Sequence, residues 1–101
     1  MTLVLVLGHV IARPEHFDEV LKLSQQHVER SRAEPGCMAH AVHRDAENPL
    51  RLVFVEKWSD MAALQAHFRV PASRAFGKAL ATLASEPPGL EVYEAAAVNP
   101  G

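Results

Sequence analysis

The chain lacks several features that would mark common protein classes. It has a single cysteine, Cys37, so no disulfide can form within the chain, and a reducing, cytoplasmic location is favoured. The formal net charge is −2, and no basic stripe exists to neutralise phosphates, so we expect no nucleic-acid partner. No apolar run approaches the ~18 residues that cross a bilayer, so we expect no membrane partner.

Glycine is also sparse, and its positions exclude familiar motifs. The five glycines stand at 8, 36, 77, 89 and 101, so no glycine-rich phosphate loop is present. No serine lies between two glycines, as it would at a nucleophile elbow. The apolar run LVLVL, residues 3–7, has no basic residue before it, so it is interpreted as mature structure rather than as a signal peptide.

What is present is typical of one small folded domain. Hydrophobic residues make up 49% of the 101 residues and charged residues 22%, which favours folding over disorder. We expect a single domain over 1–101, with a core from about 2 to 96 and a loose C-terminal tail. A core of this size gains stability from a partner subunit.

The first third of the chain predicts a strand and then a helix. Residues 2–12, TLVLVLGHVIA, are apolar in both alternating phases, which indicates a strand covered on both faces. Residues 14–33 predict an amphipathic helix that starts near a proline. Its apolar stripe comprises Phe17, Val20, Leu21, Ser24 and Val28.

A hairpin, two helical segments and a last strand follow. CMAHAVHR (37–44) and RLVFVEKWS (51–59) are joined by a short turn and predict paired strands. Ser59 or Asp60 is a candidate helix cap, and Ser73 is a second one after the break at Pro71. The last strand is LEVYEAAAV. The predicted stripe of the helix before Pro71 is Met61, Leu64 and Phe68.

This order of elements predicts an α+β fold of the ferredoxin-like type, βαββαβ, with a four-stranded antiparallel sheet. Two or three helical segments can cover one face of the sheet only. The other face would leave a wide apolar patch, which soluble monomers rarely expose. We therefore expect a homodimer in which two sheets pack face to face.

The histidines do not show a metal-binding spacing. His40 and His43 are three apart on a strand and point to opposite faces. His16 and His27 share a helix face but lie ~16 Å apart along the axis. We therefore expect no metal site, with one alternative left open: His9 could approach a histidine of another strand.

The segment FVEKWSDMAALQAHF, residues 54–68, contains the candidate site residues. Glu56 stands in an otherwise apolar strand phase, and a buried carboxylate needs a partner; a pocket role and a structural ion pair with Arg44, Arg51 or a partner chain are both open. Trp58 and His67 are predicted to line one cleft between sheet and helices. The alternative is a core tryptophan and a hydrogen-bonded border histidine.

The ordered motifs of residues 34–76 closely resemble the antibiotic biosynthesis monooxygenase (ABM) domain family. They are EPG, then a strand ending in HRD, then an ExW strand, then a helix with ALxxH. The resemblance extends from about residue 2 to 96. The matching positions are Glu56, Trp58, Ala63, Leu64, His67 and Phe76.

The resemblance implies a dimeric α+β barrel and a monooxygenase that oxidises a quinol or phenolic aromatic with O₂ and without a cofactor. It makes His67 the expected base, with Glu56 orienting a polar partner and His9 as a second acid or base. The expected substrate-binding residues are Trp58, Phe54, Phe68 and Phe76.

Two other functions stay open: a non-catalytic dimer that binds a small aromatic ligand, and a haem-binding dimer. Haem-degrading relatives use an asparagine on the first strand together with a tryptophan and a histidine. Here the first strand offers His9, and the first asparagine is Asn48, which counts against haem degradation.

Overall fold

Strands and helices follow one another in the order that the sequence predicts. The computed structural model describes residues 2–101. The elements are β1 (Leu3–Ile11), a 3-10 turn (Pro14–His16), α1 (Phe17–Arg32), β2 (Cys37–Arg44), β3 (Arg51–Trp58), α2 (Met61–Arg69), α3 (Pro71–Leu83) and β4 (Gly89–Ala95). The predicted ferredoxin-like α+β fold is confirmed.

The sheet has the order β2-β3-β1-β4, and every neighbouring pair is antiparallel. The register breaks once, between Cys37 and Ala39, where β2 contains one extra residue. Because of this β-bulge, His40 rather than Ala39 stands opposite Glu56. Directly opposed residues project from the same face of a sheet, so the bulge places a histidine beside the strand's only carboxylate.

The helices cover one face of the sheet, and the core lies between the two layers. The predicted stripe of α1 is largely confirmed, since Phe17, Val20, Ser24 and Val28 are buried. The buried positions of the two central strands are Val4, Val6, Gly8, Val10, Leu52, Phe54, Glu56 and Trp58.

Two details of α2 and α3 differ from the prediction. Asp60 caps α2 by accepting a hydrogen bond from the Ala63 backbone N–H at 2.8 Å, as expected. The predicted stripe of α2 is wrong at its ends, because Met61 and Phe68 are exposed while Leu64 and His67 are buried. Ser73 does not cap α3, which begins at Pro71 after Val70; a proline at the first helical position needs no donor there.

The opposite face of the sheet carries apolar side chains with no helix over them. Leu7 is 38% exposed and Tyr93 is 44% exposed on this face. Leu5, Val53 and Val55 are half-buried beside them. Among residues 2–101, no helix has the length and apolar character needed to cross a membrane.

Candidate functional site

Glu56 and Trp58 form a buried pair on the helix-covered face of β3. They are two residues apart, so both side chains project to the same side of the strand. The indole Nε1 of Trp58 donates a hydrogen bond to Oε1 of Glu56 at 2.9 Å. The Trp58 side chain is fully buried, and its N–H supplies one of the partners that a buried carboxylate requires.

His67 forms a second acid–base pair with Glu34. His67 lies on α2, three residues after the buried Leu64, and is itself 3% exposed. Its Nδ1 is 2.8 Å from Oε1 of Glu34. A neutral imidazole that donates from Nδ1 to a carboxylate keeps a free lone pair on Nε2, so this pair prepares His67 to accept a proton.

The turn before β2 brings Glu34 to the helix. Gly36 has φ = 81°, a left-handed conformation that glycine adopts without a steric cost. A Cβ added there would lie 2.5 Å from Cβ of Ala63, so the chain passes close against α2. The glycine of the EPG motif therefore has a structural reason.

His27 and His40 complete a buried cluster with His67. The ring centroids are 5.3 Å apart for His27 and His40, 5.2 Å for His27 and His67, and 5.7 Å for His40 and His67. Burial, together with the neighbouring His40 and His67, lowers the pKa of His27 to about 3. His27 is therefore uncharged at neutral pH.

Glu56 remains ionised although it is buried. Burial by itself would raise its pKa, but contacts with His40 and the Trp58 N–H outweigh that effect and hold the pKa below its usual value. Nε2 of His40 lies 3.3 Å from Oε1 of Glu56. A charged carboxylate thus stands at the centre of the polar cluster.

A cavity of about 320 Å³ lies beside this cluster, between the sheet and the helices. Its polar wall contains His27, Glu56 and His67. Ser73 and the exposed Arg74 lie on the α3 side. The remaining side chains of the wall are mainly apolar and include Phe54, Phe68, Phe76, Leu80 and Leu90.

The structure brings most of the predicted site residues together, with two differences. Phe54, Phe68 and Phe76 all line the cavity. Trp58 does not: its ring packs on that of His67 with centroids 4.7 Å apart, so the cleft expected between these two rings is absent. The indole instead belongs to the core and acts on the site through Glu56.

His9, the expected second acid or base, lies apart from His67. It reaches the cavity wall beside Gly89, but its side chain alternates with the buried Val10 and belongs to the opposite face of β1. A Cβ added at Gly89 would collide with the His9 ring, so the imidazole packs directly over that glycine. It does not join His67.

Sequence reasoning missed Glu34, His27 and His40 as site residues. The β-bulge that turns His40 toward Glu56 has no sequence signal in a single chain. The arginines weighed as partners of Glu56 are engaged elsewhere: Arg51 pairs with Asp45 at 3.0 Å, and Arg44 donates to the Pro49 carbonyl oxygen at 2.8 Å.

Comparison with known proteins agrees with this fold and identifies a family. The family model described as antibiotic biosynthesis monooxygenase matches residues 3–79. An uncharacterized protein from Synechocystis sp. is 31% identical over 93 residues, which cover 92% of this chain and 63% of that protein. The chain therefore spans somewhat less than two thirds of this relative's length.

Solved structures share this fold over most of both chains. A crystal structure of an antibiotic biosynthesis monooxygenase has a TM-score of 0.86 and 28% identity, over 93% of this chain and 99% of that chain. A Deinococcus radiodurans protein assigned provisionally to the same class has a TM-score of 0.90 and 26% identity, over 95% and 96% of the two chains. A conserved protein from Methanosarcina mazei Go1 has a TM-score of 0.87 and 25% identity, over 92% of each.

The fold and the family model lead to the same assignment. The matched residues 3–79 include the ExW strand β3 and the helix that carries His67. The chain belongs to the antibiotic biosynthesis monooxygenase family.

Proposed function

We propose that this protein oxidises a small phenolic or quinol-type aromatic with O₂, using the cavity beside His67 and no cofactor. The observation that carries the proposal is that His67, which is paired with Glu34 behind it, lies on the wall of a cavity whose remaining side chains are mainly apolar. A base oriented by a carboxylate, next to a mainly apolar space, suits removal of a phenolic proton.

Proton removal is the step that the protein supplies. Nε2 of His67 accepts the phenolic proton, and the Glu34 carboxylate stabilises the imidazolium that results. The phenolate then transfers one electron to O₂, and recombination of the substrate radical with superoxide forms a carbon–oxygen bond. The resulting peroxide anion takes the proton back from His67 and becomes a hydroperoxide. Loss of water from the hydroperoxide leaves one oxygen atom on the substrate as a carbonyl, and the substrate supplies all four electrons.

The cavity walls favour a compact aromatic substrate. Phe54, Phe68 and Phe76 offer ring faces and edges on which an aromatic ring can stack. A volume of about 320 Å³ lies at the lower end of small-molecule sites, which suits one or two fused rings. Arg74 at the mouth can stabilise the phenolate that forms inside.

Trp58 and Glu56 have positioning roles in this account. Trp58 fixes Glu56 through its N–H and supports the His67 ring by packing against it. Glu56 presents a negative charge to the cavity wall, which favours a substrate with a second hydroxyl group to donate. This charge is one reason to prefer a quinol over a simple phenol.

We also propose that the working form is a homodimer. The uncovered sheet face, with Leu5, Leu7, Val53, Val55 and Tyr93, is apolar and partly exposed. A second copy placed sheet to sheet would bury it. The helix-covered cavity would remain accessible in each subunit.

Oxygen uptake by chelator-treated protein with a panel of hydroquinones and naphthoquinols tests the proposed reaction. His67→Asn keeps an N–H donor toward Glu34 but removes the base, so turnover should fall ~10²–10⁴-fold. His43→Asn, on the exposed side of β2, is the matched control and should retain full activity. No uptake above the uncatalysed rate with any substrate, or full activity in His67→Asn, would reject the proposal.

A further inference from the structure

Three histidines from three separate elements converge at the polar wall of the cavity. His27 comes from α1, His40 from β2 and His67 from α2, and all three are buried. One ring nitrogen from each lies within 4.8 Å of the other two. We call these residues the histidine trio.

The trio contains ring nitrogens that need partners. Neither ring nitrogen of His40 has a hydrogen bond to any residue of the described chain 2–101, and the same holds for Nδ1 of His27. The Oε1 atom of Glu56 comes within 3.3 Å of His40, but not with hydrogen-bond geometry. A buried polar atom without a partner costs ~1–3 kcal/mol, so three in one cluster call for an explanation.

The surroundings of the trio resemble the support that metal-binding histidines receive. Nδ1 of His67 bonds to Glu34, which leaves Nε2 free, as in a carboxylate–histidine–metal arrangement. The Glu56 carboxylate, fixed by Trp58, adjoins the trio and can supply a donor oxygen. Three imidazoles with a carboxylate suit Zn²⁺ or Co²⁺, whereas Mg²⁺ and Ca²⁺ prefer sites made of oxygen ligands.

We propose that the histidine trio binds one divalent transition-metal ion of the Zn²⁺ type. Zn–N bonds of about 2.05 Å place tetrahedral ligands ~3.4 Å apart, so nitrogens now up to 4.8 Å apart must approach one another by up to ~1.4 Å. Rotation of the side chains can supply this movement. Ion binding would give His27 and His40 the partner that the protein does not offer.

The proposal has a consequence for activity, and this part rests on the proposed function. The free lone pair of His67 is required both by the metal ion and by proton abstraction. The two uses exclude each other, so a bound ion should suppress phenol oxidation. Metal binding at the histidine trio would then inhibit the proposed monooxygenase reaction.

Calorimetric titration of chelator-treated protein with Zn²⁺, and the visible spectrum with Co²⁺, test the site. One ion per chain and a tetrahedral Co²⁺ absorption band are expected. His40→Leu should weaken binding by more than the ~100-fold that loss of an outer partner can cause, and Glu34→Gln should weaken it ~10–100-fold. His43→Leu, three residues along the same strand, is the matched control and should bind as the parent does.

Binding that is absent, or that is equally strong in His40→Leu, would overturn the metal site. If His40→Leu fails to fold by circular dichroism, Glu34→Gln decides, because Glu34 is only partly buried. Oxygen uptake that persists with stoichiometric Zn²⁺ would overturn the inhibitory role. Zn²⁺ binding without any phenol oxidation would leave the site standing while the proposed function fails, so the two failures can be told apart.

Discussion

Replacing Trp58 with phenylalanine should destabilise the protein far more than the loss of an aromatic contact suggests. The indole N–H is a hydrogen-bond donor to the buried Glu56 carboxylate, and a bond to a charged group contributes ~1.5–3 kcal/mol. The smaller ring also leaves a void, which adds about 1 kcal/mol. We therefore expect Trp58→Phe to lower the free energy of unfolding by about 2.5–4 kcal/mol.

Urea unfolding at one fixed protein concentration measures this loss, because the stability of an assembled protein depends on concentration. Arg51→Met on the same strand is the matched control: it also removes an N–H donor from a carboxylate, that of Asp45, but at a partly exposed site. Its expected cost is below about 1 kcal/mol.

A double-mutant cycle identifies the charge as the reason. In a Glu56→Gln background, the indole donates to a neutral amide oxygen, and that bond contributes only ~1 kcal/mol. Trp58→Phe should then cost about 1 kcal/mol less than it does in the parent. Equal costs in the two backgrounds, or a total below that of Arg51→Met, would refute the claim that Trp58 holds a buried charge.

Three further outcomes follow from the geometry. Gly36→Ala should lower the free energy of unfolding in urea by about 2–4 kcal/mol, because position 36 combines a left-handed conformation with a close contact. The control is Gly77→Ala: a Cβ there meets nothing within 4 Å, so the free energy of unfolding should rise by ~0.5–1 kcal/mol. Equal effects of the two substitutions would contradict this reasoning. Leu7→Lys should convert a dimer into a monomer in light scattering, and a monomeric parent at micromolar concentration would remove the dimer proposal. Burial and the charge of Glu34 raise the pKa of the Cys37 thiol above its ordinary value, so its thiolate forms at a higher pH than in the unfolded chain. The pH midpoint of iodoacetamide labelling, followed by mass spectrometry, should therefore be higher for native than for denatured protein, and matching midpoints would count against this.

The fold could be predicted from the sequence because local structural propensity and the pattern of apolar residues indicate the same elements along most of the chain. The strand predicted at 37–44 matches β2, since β-propensity and turn residues coincide there. Glu56 was recognisable as unusual for the same reason: a carboxylate in an apolar strand phase contradicts its surroundings. Pattern alone therefore located one site residue and the face on which it lies.

The partners of Glu56 could not be predicted from the sequence, because they depend on the register between β2 and β3 and on the rotation of α1 about its axis. One extra residue in β2 decides that His40 rather than Ala39 faces the carboxylate. His27 lies next to the buried Val28 at the edge of the α1 stripe, where a small rotation decides between solvent and core. Charge complementarity suggested an arginine, but tertiary packing selected histidine and tryptophan instead.

The most direct test of the account asks whether His67 removes a phenolic proton. Chelator-treated protein would be mixed without oxygen with a naphthoquinol, at a pH below the quinol's own pKa, and the spectrum would be recorded. We expect the absorption of bound phenolate with the parent protein and of un-ionised phenol with His67→Asn. Un-ionised phenol bound to the parent, or the same spectrum with both proteins, would contradict the assignment of His67 as the base.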